Sequence, residues 1–222
     1  MISIALDGPA GAGKSTIAHE VAVRLGYIYV DTGALYRAVA LAVTEEKVDI
    51  DNKDDLQSFL DKIDIAIVFF NGEQHVLWND RDISKDIRTE EISKLASNIS
   101  KIPEVRAFLL DLQRDFAKRD NVIMDGRDIG TVVLPGARVK IFLTASPEIR
   151  AERRYRQLLE TNKADGETYE SVLEKIRTRD YNDSHRAIAP LKPAEDAVLL
   201  DTTDLTLSES IEKIIEIIRE RI

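Results

Sequence analysis

Residues 8–15 read Gly-Pro-Ala-Gly-Ala-Gly-Lys-Ser, and this octapeptide limits what the chain can fold into more than any other stretch. It fits G-x-x-x-x-G-K-[ST], a loop whose backbone amides cradle phosphate groups. Small residues let the amides turn inward around an anion. Lys14 can set an ammonium on the outer phosphates of a nucleoside triphosphate. Ser15 can offer a hydroxyl to the Mg²⁺ that travels with them. With 10 Gly in 222 residues, chance yields about 0.003 such matches in a chain of this composition. The flanks add context. Residues 2–6 are a short apolar run suited to a buried parallel strand. Ile17, Val21 and Leu25 follow at helical spacing and stop at Gly26. A plain glycine-rich turn before a helix is the bland alternative, and strand, loop and helix together argue against it.

Apolar runs alternate with helical patterns along the rest of the chain. Strands are expected at 2–6, 27–30, 122–124, 139–143 and 198–200. Helices are expected at 14–25, 32–44, 54–62, 90–101, 103–118, 147–161, 167–182 and 207–220. In the last, Ile211, Ile214, Ile215 and Ile218 mark a buried face. This alternation predicts an α/β fold of three layers, a parallel sheet with helices on both faces. Ligands of such sheets sit at the carboxyl ends of the strands. One segment departs from the pattern: 65–70 and 74–80 flank Asn71-Gly72, a hairpin turn signal, with a short strand near 81–83. A small antiparallel insert at 63–86 is expected, rather than an edge hairpin of a sheet that is otherwise parallel. The core then comprises 1–62 and 87–222.

Composition bounds the function. A net charge of −9 and a pI near 5.0 make general nucleic-acid binding a poor fit. The absence of cysteine excludes disulfides, thiolate metal sites and cysteine nucleophiles. His19, His75 and His185 do not cluster in sequence, so core or surface roles are expected. With no basic leader before the loop and no apolar stretch near ~18 residues, a cytoplasmic protein without membrane contact is expected. Asn52-Lys53-Asp54-Asp55 spells the guanine-reading signature of GTPases, but early in the chain and without a D-x-x-G before it. Asp51 or Asn52 is better read as a helix N-cap.

Four further clusters stand out. Asp31-Thr32-Gly33-Ala34-Leu35-Tyr36-Arg37 follows the second strand, where Thr32 can cap the next helix. Asp125-Gly126-Arg127-Asp128 follows the strand at 122–124. Arg150, Arg153, Arg154 and Arg156 crowd one helix, the first three on one face. Arg179, Asp183 and Arg186 share another face. The stretch 147–186 holds 7 of the 18 arginines, an excess that favours an anionic ligand. Interspersed Glu148, Glu152 and Glu160 keep a solvated, ion-paired helix open as the alternative.

GPAGAGKST at 8–16, DTGALYRAVAL at 31–41, DGRDIGTVVLP at 125–135, KIFLTAS at 140–146 and RDYNDSHRAIAPL at 179–191 together resemble the bacterial cytidylate kinases over nearly the whole chain. The resemblance implies a P-loop nucleoside monophosphate kinase that moves the γ-phosphoryl of ATP, with Mg²⁺, to CMP or dCMP. It implies that Gly8, Pro9, Ala10, Gly11, Ala12, Gly13, Lys14, Ser15 and Thr16 hold ATP phosphates, with Ser15 on the metal. Arg37 and Arg127 would clamp the phosphate of CMP. Thr32 belongs to the substrate side, and Ser97, Arg106 and Asp128 would face the cytosine. Arg179, Asp183 and Arg186 would reach the ribose and phosphates. Lys14, Arg127, Arg150 and Arg154 would act in catalysis, and the helix carrying Arg150 to Arg156 would belong to a lid at about 147–166. The insert would border the monophosphate site. Small nucleotides are the expected partners of a monomer. Adenylate or shikimate kinases share the architecture, and a GTP switch protein shares the loop; the base-facing trio and the missing D-x-x-G argue against each. Cytosine's N4 amino group suits a carboxylate, and its O2 and N3 suit Arg and Ser donors.

Overall fold

The computed structural model describes residues 1–162, 164 and 166–222. The expected lid segment includes Lys163 and Asp165, which lie outside the described residues. Five strands, β1 (Ser3–Asp7), β2 (Ile28–Asp31), β6 (Val122–Gly126), β7 (Val139–Thr144) and β8 (Val198–Asp201), form one parallel sheet in the order β2-β6-β1-β7-β8. Successive side chains of a strand point to opposite faces, and here both faces are buried. Ile4, Leu6 and Ile123 pack with Ile17 and Val21 of helix α1 (Lys14–Leu25) and with the isoleucine stripe of α8 (Leu207–Arg219). Ala5, Val122 and Met124 pack on the other face with α2 (Thr32–Glu45) and α5 (Pro103–Arg119). This is the three-layer α/β architecture that the alternation predicts.

The hairpin forms a sheet of its own. Strands β3 (Ile65–Phe70), β4 (Glu73–Trp78) and β5 (Arg81–Asp82) are antiparallel, and none pairs with the main sheet. Asn71 and Gly72 turn at φ 52° and 81°, both left-handed as a two-residue hairpin requires. Asn52 caps α3 (Lys53–Leu60) by accepting the amides of Asp54 and Asp55, so this acidic run is a helix start. Helix α4 (Glu90–Ile99) follows the small sheet. Helices α6 (Pro147–Glu160) and α7 (Tyr169–Ser184) form a hairpin around Ala151, Val172 and Ile176.

The strand order creates a switch point. Crossovers leave β1 toward β2 on one side, and leave β6 over β1 toward β7 on the other. Loops that diverge in this way leave a crevice between β6 and β1 at their carboxyl ends.

Ile214 is 2% exposed beneath the sheet. Ile214→Ala should cost about 2–5 kcal/mol in denaturant unfolding, the usual range for a buried isoleucine. Lys213→Ala, one residue away and exposed, should stay within about 0.5 kcal/mol.

Candidate active site

The loop after β1 begins with a close approach. A Cβ built on Gly8 would lie 1.9 Å from the Leu143 carbonyl oxygen of β7, so only glycine fits there. Gly13 ends the loop at φ 84° and leaves α1 without a capping side chain. The first amides of α1 are therefore free to face an anion. Lys14 is buried, and its Nζ donates to the Pro9 carbonyl at 2.9 Å. Burial and the nearby Arg127 push its pKa down to about 7. Ser15 and Thr16 are exposed.

The end of β6 faces this loop. The Ser15 hydroxyl donates to Asp125 Oδ2 at 2.8 Å, and the Tyr29 hydroxyl to Oδ1 at 3.2 Å. Burial, and then the Asp31 carboxylate, push Asp125 above the usual range for Asp. Thr32 does not cap α2 as expected. Asp31 does, accepting the Ala34 amide, because its side chain reaches back over the first turn. The Thr32 hydroxyl instead donates to the Asp125 carbonyl at 2.8 Å, tying β2 to β6.

The cationic side gathers residues from four segments. Arg37 Nη2 reaches Asp31 at 2.7 Å, and Arg127 Nε reaches Asp183 Oδ2 at 2.9 Å. Arg179 is exposed, with the surrounding protein withdrawing part of its solvation. That surrounding, with Arg127 and Arg37 close by, lowers its pKa to about 10. Burial pulls Asp183 upward, but Arg127 and Arg179 outweigh it and hold it below the ordinary carboxylate range. Arg106 donates to Asp128 Oδ2, and both are buried. Buried nitrogens without partners among the described residues include Arg37 Nε and both Nε and Nη2 of Arg186. Such donors fit an anionic, oxygen-rich ligand, since an unmet buried donor is costly. Ser97 is half-buried, and its carbonyl accepts the Ser100 hydroxyl. Its own hydroxyl has no recorded bond among the described residues.

The arginines of α6 separate. Arg150 turns in, bonded to the carbonyls of Ala145 and Ala10 at 2.8 and 2.9 Å and paired with Asp180. It thus buttresses the phosphate loop. Arg153 holds the Thr202 carbonyl at 2.7 Å and the Leu205 carbonyl at 3.3 Å, beyond β8. Arg154 is exposed and bonds Gln157, and Arg156 pairs with Glu152. The shared face of the first three does not give them a shared target, because long guanidinium arms diverge to the nearest carbonyls.

Several residues that shape the site carry no pattern in the sequence. Gln74, from β4, accepts the Asp31 amide at 2.8 Å and donates to its carbonyl at 3.2 Å, pinning the small sheet to the strand that precedes Arg37. Arg114 is also met only in three dimensions, and Asp180 carried a sequence signal only as part of the motif at 179–191. Asp125 carried a sequence signal only through its Asp-Gly-Arg-Asp motif.

A phosphate loop at the end of β1, with arginines converging from across the crevice, defines a P-loop phosphotransferase. A Bacteroides thetaiotaomicron shikimate kinase structure shares this fold, at TM-score 0.50 and 12% identity over 98% of each chain. The sequence model of the family described as cytidylate kinase matches residues 4–220. A cytidylate kinase of Carboxydothermus hydrogenoformans is 48% identical over 97% of this chain and 96% of its own. Cytidylate kinase 1 of Haemophilus influenzae is 47% identical over 95% of this chain and 90% of its own. The chain belongs to the cytidylate kinase family and is a kinase.

A carboxyl held below its unfolded pKa adds stability that is fully present above that unfolded value, near about 4. The contribution disappears as pH falls through the depressed folded value. Asp183→Asn should therefore lower the melting temperature at neutral pH, and the gap to wild type should close below about pH 4. A gap that stays constant from neutral to about pH 3 would show that the two arginines do not hold this carboxylate.

Proposed function

We propose that the chain transfers the γ-phosphoryl group of MgATP to CMP or dCMP, giving ADP and the nucleoside diphosphate. One observation carries the residue-level reading. The phosphate loop after β1 and the Asp125–Asp128 turn after β6 sit side by side at the switch point, one suited to a triphosphate and the other ringed by arginines and Asp128. The loop at 8–16 holds the ATP phosphates. Arg37, Arg127 and Arg179 clamp the acceptor phosphate, Arg186 reaches ribose or phosphate, and Asp128, Arg106 and Ser97 face cytosine.

The acceptor oxygen is already anionic, so no strong general base is needed. This chain's residues position the two phosphates in line and neutralise the charge that spreads over the transferring group. In this reading Lys14 and Arg127 serve that role, supported by Arg150, which donates to the Ala10 carbonyl of the loop. Mg²⁺ fits here only together with phosphates. Among the described residues no group of three or more His, Cys, Asp or Glu could hold an ion, while the Ser15 hydroxyl and the Asp125 carboxylate supply oxygen ligands directly or through water. When bound, the ion would neutralise negative charge on the phosphates. The α6–α7 hairpin, with Arg154 at its surface, serves as a lid that closes over both nucleotides and excludes water. No described helix is long and apolar enough to cross a membrane. We read the protein as a cytoplasmic monomer whose partners are nucleotides.

Turnover with ATP against CMP, dCMP, UMP, AMP and shikimate tests the reading. CMP or dCMP should lead in kcat/KM. Asp128→Asn should narrow the CMP-to-UMP ratio, because an amide can donate to uracil O4. Comparable rates on AMP or shikimate would overturn it.

Lys14 gives a pH prediction. In the protein alone burial and Arg127 hold its pKa below the ordinary lysine value, and a triphosphate against Nζ raises it. ATP binding should therefore take up protons at about pH 8 and fewer at about pH 6, where more of Lys14 is already charged. Calorimetry in buffers of different ionisation enthalpy reads this directly. Lys14→Met should abolish the uptake and slow turnover at least ~100-fold.

A further inference from the structure

Asp7 immediately precedes the phosphate loop and is nearly fully buried at the end of the central strand, where a carboxylate is costly. Its two oxygens have fixed partners. Oδ1 accepts the Ile129 amide and Oδ2 the Gly130 amide, each at 2.7 Å. Those amides open a π-helical turn at Ile129–Val133, and the first amides of any helical turn lack internal partners. The far end of the turn is held as well. Arg114 of α5 donates Nε to the Val133 carbonyl at 2.9 Å and Nη2 to the Val132 carbonyl at 3.0 Å.

Asp128 is the residue before this turn, and its carbonyl accepts the amides of Val132 and Val133 at 2.9 and 3.2 Å. The direction in which Asp128 projects is thereby set by a turn that is clamped at both ends. Gly130 allows the clamp: a Cβ there would lie 3.1 Å from the Lys140 stem and 3.3 Å from Asp7 Oδ2. The arrangement is not a cheap way to cap a turn. Burial pushes Asp7 up to about 6, even though both amides pull it down.

We infer that Asp7 is a positioning residue for base selection: by fixing the turn that follows Asp128, it aims the Asp128 carboxylate and its Arg106 partner at the nucleobase, while its own chain runs directly into the phosphate loop. This rests on the proposed reading of Asp128 as the base-facing group. The inference adds a specificity determinant lying 121 positions earlier in the chain, and a second one in Arg114.

The test uses the full chain and steady-state kinetics with CMP and UMP at saturating MgATP, with melting temperature in parallel. Asp7→Asn keeps shape, but its amide accepts from only one of the two backbone donors and presents N–H to the other. Arg114→Met releases the turn from the opposite end without touching β1 or the loop. Both variants should raise KM for CMP and lower the CMP-to-UMP ratio of kcat/KM by roughly tenfold, with KM for ATP within about threefold of wild type. A purely structural role predicts a lower melting temperature with an unchanged ratio, and that result overturns the inference. If Asp7→Asn does not accumulate as folded protein, Arg114→Met decides alone, by the same ratio. Asp128→Asn separates the two levels. A reduced ratio in Asp128→Asn beside wild-type ratios in both clamp variants refutes this inference only. An unchanged ratio in Asp128→Asn refutes the base assignment and the inference with it.

Discussion

Five residues of β1 pair in parallel with five of β6, from Ser3 opposite Val122 to Asp7 opposite Gly126, and the site depends on that register. Because the strands run the same way, both end at one edge of the sheet. The phosphate loop that follows Asp7 and the Asp-Gly-Arg-Asp turn at the end of β6 then face each other across the width of one strand pair. A slip of one residue would turn every side chain to the other face. Ile4 and Leu6 would leave the α1–α8 layer, and Asp7 would lose the amides of Ile129 and Gly130. The apolar core therefore enforces the alignment on which the chemistry relies. Side chains then lock the alignment from three directions: Thr32 to the Asp125 carbonyl, Ser15 to its carboxylate, and Asp7 to the turn beyond.

The second constraint is electrostatic. A chain with net charge −9 concentrates Lys14, Arg37, Arg127, Arg179 and Arg186 around one crevice. Left alone, these cations would repel one another and resist burial, which is why Lys14 and Arg179 are both pushed below their ordinary values. Asp31, Asp125, Asp128 and Asp183 each hold or face one of them. They keep the cations ordered without cancelling the surplus. A polyanion entering such a site meets donors already aimed, so little reorganisation is left for the moment of transfer. Carboxylates that only neutralised would defeat the purpose. Here several donor nitrogens remain without partners among the described residues.

The elements were legible because each has local causes. The Ile211–Ile218 stripe, the Gly26 stop and the Asn71-Gly72 turn act over a few residues, and the observed helices and strands begin and end close to where those signals put them. The motifs were legible because phosphate loops leave few spellings open. What sequence reading missed was set by contacts between distant segments. Thr32 looked like an N-cap because it opens a helix, but Asp31 stands one residue earlier and reaches the same amides. The α6 arginines looked like one cationic face, yet the carbonyls of Ala10, Thr202 and Leu205 divide them. Gln74 and Arg114 carry no pattern of their own. Their roles exist only once the sheet has formed.

The pairing of Arg106 with Asp128 bears on how a small crevice can tell one pyrimidine from another. Both side chains are buried, and each fixes the other without using all of its capacity. A carboxylate has about four acceptor positions and a guanidinium five donors, so the pair can present an acceptor and a donor side by side to a flat base. On the proposed assignment cytosine would match that order with its N4 donor and its N3 and O2 acceptors. On the proposed assignment uracil would meet Asp128 with O4, acceptor against acceptor, and the turn held at the Asp128 carbonyl would leave its backbone little room to yield. A mobile carboxylate would swing away and accept either base. If Asp128 faces the base as proposed, discrimination would come from stiffness as much as from chemistry, and Asp7 and Arg114, which hold the turn after Asp128 from both ends, would supply that stiffness.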